Sequence, residues 1–107
     1  MYLIFDTETT GLPKNWRAPI SDTNNWPRCV QIAWQLHDEL GNLIESNSYL
    51  IKPDRYDIPY ESEKIHGIST QLAELEGEKL EIVLEAVSYT HLRAHETRGN
   101  LVWRGVV

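Results

Sequence analysis

Tyr2-Leu3-Ile4-Phe5-Asp6-Thr7-Glu8-Thr9-Thr10-Gly11-Leu12-Pro13 is the stretch on which the fold turns. Its first four residues are an unbroken apolar run with aromatic and β-branched members, the pattern of a central strand buried on both faces. Asp6 stops the run, and Thr10-Gly11-Leu12-Pro13 is a turn signal. Side chains two apart on a strand share a face, so Asp6 and Glu8 project together from the end of a hydrophobic strand. Two carboxylates side by side repel, and each is costly to bury alone. A divalent cation removes both objections. Mg²⁺ and Mn²⁺ prefer oxygen ligands, and magnesium commonly takes one or two carboxylates plus substrate phosphate oxygens. For D-x-E alone, a pair of strand-end acids capping a turn is the plain alternative; the apolar strand before it and the glycine turn after it make the pattern more specific.

Outward from this strand, residues 13–27 hold three prolines, three asparagines, Ser21 and Asp22, with Trp16, Ile20 and Trp26 as the large apolar anchors. They read as a long ordered loop. From Val30 the sequence alternates strictly: Val30, Ile32, Trp34 and Leu36 fall on one face of a strand, and Gln31, Ala33, Gln35 and His37 on the other. A Gly41-Asn42 turn leads to a third strand over residues 43–51, antiparallel to the second and ended by Pro53. Residues 61–65 suit a helical turn broken at Gly67. Ser69 or Thr70 suits a cap for a helix over 71–76 with Gly77 as its stop. Leu80, Val83, Leu84 and Val87 then recur at the spacing of an amphipathic helix. The expected architecture is α/β: a three-stranded antiparallel start of a sheet followed by helix, the first half of a domain.

The chain has 107 residues, 10 Lys/Arg and 16 Asp/Glu, for a formal charge of −6. That balance argues against a basic surface gripping phosphates by counterion release. No apolar run reaches the length of a membrane span, and the first residues lack the basic region and cleavage site of a secretory signal, so a soluble cytoplasmic protein with no membrane partner is expected. Cys29 is the single cysteine, which excludes an intrachain disulfide and fits a reducing compartment; it reads as a small buried hydrophobe. The charge is uneven. Residues 1–86 carry −8, and residues 87–107 carry +2.

Ile4-Phe5-Asp6-Thr7-Glu8-Thr9-Thr10-Gly11-Leu12 resembles the first exonuclease motif of the DEDD superfamily, which includes the proofreading epsilon subunit of bacterial DNA polymerase III, ribonuclease T and oligoribonuclease. Val30-Gln31-Ile32-Ala33, Tyr49-Leu50-Ile51-Lys52-Pro53 and Ile65-His66-Gly67-Ile68-Ser69 resemble later family segments, in the family's order. The resemblance covers residues 1–86 and is nearest the epsilon-like exonucleases. It implies a ribonuclease-H-like fold and metal-dependent 3′→5′ removal of nucleotides by two Mg²⁺ or Mn²⁺ ions in the complete domain. Carried over by position, Asp6 and Glu8 would be the catalytic metal ligands. Thr9, Gly11, Leu12 and His66 would border the terminal nucleotide. The implied partner is the single-stranded 3′ end of DNA, with RNA as the other substrate and polymerase subunits as further partners. Trp16 and Trp26 suit base stacking, whereas Trp34 falls on the apolar face of its strand and reads as core.

The same resemblance calls for an Asn-x-x-Phe-Asp stretch and a His-x-x-x-x-Asp stretch beyond residue 86, and neither is present. Residues 87–97, VSYTHLRAHET, instead resemble one reading frame of a transposase-based sequencing adapter, and the following TRGNLV fits the region after it. Residues 1–86 are therefore read as a truncated exonuclease domain, inactive as it stands, and residues 87–107 as a non-native tail. His91 and His95 imitate a helical zinc pair, His95 to Asn100 imitates the missing third motif without its carboxylate, and residues 101–103 imitate a fourth strand; all three are read as accidents. Two other readings stand beside this one. A haloacid-dehalogenase-type phosphatase would need an aspartate where Glu8 stands. A non-catalytic interaction module would use an exonuclease-like fold without the later acids.

Overall fold

The computed structural model describes the backbone of residues 1–96 and 100–105, and the side chains of residues 1–94. Strands β1 (Tyr2–Thr9), β2 (Cys29–His37) and β3 (Leu43–Leu50) form an antiparallel meander. The Asp38–Asn42 turn that joins β2 to β3 is held by Asp38, whose Oδ1 accepts the backbone N–H groups of Leu40 and Asn42 at 2.9 and 2.8 Å. These donors hold the Asp38 carboxyl below its usual range. Helices α1 (Tyr60–His66), α2 (Thr70–Glu76) and α3 (Leu80–Glu96) follow. A fourth strand, β4 (Asn100–Gly105), adds parallel to β1, giving the sheet order β3-β2-β1-β4.

The antiparallel start, the helices after it and the α/β class agree with the sequence reading. This fourth strand takes in residues 101–103, where the sequence imitates one. In the sheet, β1 has a free edge opposite β2, and an extended apolar segment arriving from α3 can pair along it.

Strand alternation sorts the sheet into two unlike faces. Leu3, Ile32, Trp34 and Leu36 are buried on one, with Trp34 stacked on Tyr49 at a centroid distance of 5.6 Å. Trp34 is thus core, as its position predicts. Helix α3 covers this face through Val83, Ala86, Val87, Thr90 and Ala94. The expected stripe of Leu80, Val83, Leu84 and Val87 is half right. Leu80 and Leu84 are exposed, because the helix lies on the sheet along its smaller side chains, and Ala86 and Ala94 permit the closer approach. A second small core joins Val30 to Ile58, Ile68 and Ala73 and seats α1 and α2 at the end of β2.

The helix stops follow the sequence. Gly67 ends α1 at φ 75°, and the Ser69 hydroxyl caps α2 by accepting the Leu72 N–H at 3.0 Å. Gly77 ends α2 for a different reason. A Cβ there would collide with the Ala73 carbonyl oxygen and lie 2.6 Å from the Lys52 nitrogen, so the glycine is required by a close backbone approach. That approach ties the end of β3 to the start of α3: Glu78 N–H donates to Leu50 O and Lys52 N–H to Glu78 O, at 2.8 and 2.9 Å.

Candidate functional site

Asp6 and Glu8 lie on the sheet face opposite α3, across from Ala33 and Gln31 of β2. Ala33 is small and Gln35, Ser46 and Ser48 are exposed, so this face remains open above Asp6 as a cleft of about 320 Å³ that also takes in Ile4. The pairing of β1 with β2 slips between Glu8 and Thr9, and this bulge re-aims the strand end next to the acids. Asp6 accepts its neighbour Thr7 N–H through Oδ1 at 3.0 Å. Glu8 is half-buried, and its Oε2 is shut off from solvent without a hydrogen-bond partner.

The turn after β1 is tied down on three sides. Thr9 Oγ1 donates to Gly11 O at 2.9 Å, closing a tight ring, and Gly11 sits at φ 143°, where a side chain would be strained. Thr10 N–H donates to Arg28 O at 3.0 Å, and Arg28 N–H donates back to Thr10 Oγ1 at 2.9 Å. From α1, the buried Ser62 hydroxyl donates to Thr10 O at 2.7 Å. Leu12 projects from the turn, 58% exposed. Thr10 and Ser62 escaped the sequence reading; a serine at the centre of an otherwise charged helix, Glu61-Ser62-Glu63-Lys64, is the available signal.

Four residues along α1 from Ser62, on the same helix face, stands His66. Its Nδ1 accepts the Ile68 N–H at 3.1 Å, which places the proton of a neutral ring on Nε2. That Nε2 is buried and has no partner. The end of β1 and the face of α1 tied to it therefore carry one orphaned acceptor, on Glu8, and one orphaned donor, on His66. Orphaned buried polar atoms are uncommon in folded proteins and call for a partner.

Of the six residues singled out from sequence, Asp6, Glu8, Thr9, Gly11 and Leu12 share β1 and its exit turn, and His66 joins through the α1 contact. Trp16 is exposed at 70%, and Trp26 donates its Nε1 proton to Pro19 O within the loop. Burial raises the Cys29 thiol pKa, which agrees with an inert, hydrophobic cysteine. Among the described residues no set of three or more His, Cys, Asp or Glu side chains converges on a metal position. The side chain of His95 and the structure of residues 97–99 lie outside the described residues, and with them the two histidine patterns of the tail.

An antiparallel three-stranded start, helices on one face and co-facial acids at the end of the central strand define the N-terminal half of a ribonuclease-H-like exonuclease fold. Among solved structures, the chain is similar to Escherichia coli exonuclease I. Its complex with a dA16 oligonucleotide superposes at TM-score 0.60 and 25% identity, over 97% of this chain and 20% of that one. An exonuclease I structure used to explain processivity gives 0.58 and 26% over the same shares. A complex with a labelled dA13 oligonucleotide gives 0.57 and 29%, over 73% of this chain and 15% of that one. This chain thus spans about a fifth of the length of the exonuclease I chains it matches. No protein-family model and no curated protein sequence matches it.

Proposed function

We propose that residues 1–86 are the first half of a DEDD-type, metal-dependent 3′→5′ exonuclease domain acting on the single-stranded end of DNA. One observation carries this reading: Asp6 and Glu8 share the open face at the end of β1, and Glu8 Oε2 is buried without a partner. Those two carboxylates fit a hard divalent cation as a partial ligand set, to be completed by phosphate oxygens and by acids this chain does not supply. Such an ion, when bound, would supply Lewis-acid stabilisation of charge on the phosphoryl group. The chain's own residues position the strand end. Gly11 and the Thr9 ring shape the turn that borders the terminal nucleotide, Leu12 packs against its base or sugar, and His66 Nε2–H donates to a phosphate or sugar oxygen. The oligonucleotide complexes of exonuclease I support a nucleic-acid ligand; the epsilon-like motifs support a proofreading role with polymerase subunits as partners.

Residues 87–107, in the same reading, are foreign to the domain. The charge shift and the adapter resemblance support this, and the boundary falls inside α3. Two measurements test the whole reading. The coding sequence downstream of codon 86 in the source genome should continue into Asn-x-x-Phe-Asp and later His-x-x-x-x-Asp; a natural reading frame encoding residues 87–107 sinks it. With two of four carboxylates, the purified 107-residue chain should release no nucleotide from a 3′ end in Mg²⁺, and release that disappears in Asp6→Ala would show the chain to be a complete enzyme.

A further inference from the structure

We propose that the cavity between the start of β2, the end of β3 and the first turn of α3 is a phosphate-binding site, and that it takes a backbone phosphate of a nucleic-acid strand. The phosphate chemistry stands on the cavity alone. Its attribution to a strand rests on the function proposed above.

The cavity encloses about 420 Å³, and Arg28, Lys52 and Lys79 line it. Three of the chain's ten Lys/Arg residues therefore meet at one place in an acidic molecule. Their convergence is built by the backbone: the Lys52 N–H to Glu78 O bond draws Lys52 beside Lys79, and Gly77 exists to let that approach happen. Among the described residues no carboxylate lies within ion-pair distance of any of the three. Arg28 is held over the ring of Tyr56 at 5.6 Å, and Tyr56 is itself anchored by donating its hydroxyl proton to Cys29 O at 3.3 Å. Two acids, Asp54 and Glu81, stand on the wall against these three cations, which leaves the lining with a net positive charge. A stacked guanidinium offers paired donors to phosphate oxygens, and two ammonium groups add point charge around them.

Location links this cavity to the acidic pair. Through its backbone Arg28 accepts the Thr10 N–H and donates to the Thr10 hydroxyl, so one residue spans from the cavity to the turn after β1. A chain of net charge −6 repels a polyanion at long range, and a local cationic pocket is what such a chain needs to hold a strand beside its carboxylates.

The test is a titration of the 107-residue chain by ¹⁵N–¹H NMR in chelator, with inorganic phosphate and separately with a short oligothymidylate. Both should move the amides of Arg28, Lys52, Tyr56 and Lys79. The double variant Lys52→Gln/Lys79→Gln should weaken both by about tenfold or more, while Lys52→Arg/Lys79→Arg retains binding and shows that charge, and not a damaged fold, is responsible. Asp6→Asn should leave the phosphate titration unchanged, which keeps this outcome separate from the fate of the metal-site reading. Movement with phosphate but not with the oligonucleotide supports the site and assigns it to a free phosphate-bearing ligand. No movement at the four amides with either probe, or undiminished affinity in the double glutamine variant, overturns the proposal.

Discussion

At the scale of single residues, the acidic pair is a place where local chemistry opposes stability. Asp6 and Glu8 point the same way, and neighbouring like charges on one sheet face are destabilising. In the metal-free chain Asp6→Asn should therefore raise stability, by roughly 0.5–1 kcal/mol. With millimolar Mn²⁺ present the order should reverse, the wild-type chain gaining thermal stability and the variant not. Equal responses of both chains to Mn²⁺ in a melting experiment would remove the metal assignment. The identity of these two residues was legible because strand periodicity and carboxylate chemistry are both local. Thr10 and Ser62 were not, because their roles depend on a contact between residues 52 positions apart, and neither residue type advertises it.

At the scale of elements, the strands and helix ends were readable and the helix face was not. The alternation in Val30, Ile32, Trp34 and Leu36 matches the observed burial, and Gly67 and Ser69 perform the expected stops and caps. For α3 the sequence offers two overlapping stripes, one rich in leucine and one rich in small residues, and only the sheet decides between them. Glycine 77 is a similar case. It stops α2 as expected, its φ is −74°, and what excludes a side chain is the backbone of Ala73 and Lys52 pressed against it. Gly77→Ala should accordingly destabilise the chain by about 2–3 kcal/mol through forced separation of α2 from the end of β3, measured by denaturant melts. A loss of a few tenths would mean that the two backbones part easily.

At the scale of the whole molecule, the sheet is covered on one face and largely bare on the other. The radius of gyration of 14.9 Å exceeds the roughly 13 Å expected of a compact chain of this length. Thr90 and Ala94, both in the segment proposed to be foreign, are nevertheless among the buried residues, and Arg93 pairs with Glu45 of β3 at 2.6 Å. The tail is thus proposed to be alien in origin while still contributing to the core. Removing residues 87–107 should abolish the cooperative thermal transition, and a sharp melt of the 1–86 segment would show that α1, α2 and the sheet suffice. The tie between Ser62 and Thr10 has a further consequence in time. Because the frame of the acids is closed by one hydrogen bond between distant residues and not by the strand ladder, it should open more readily than the sheet, and the Gly11 amide should exchange faster than that of Leu36; equal protection of the two would show that site and sheet open together.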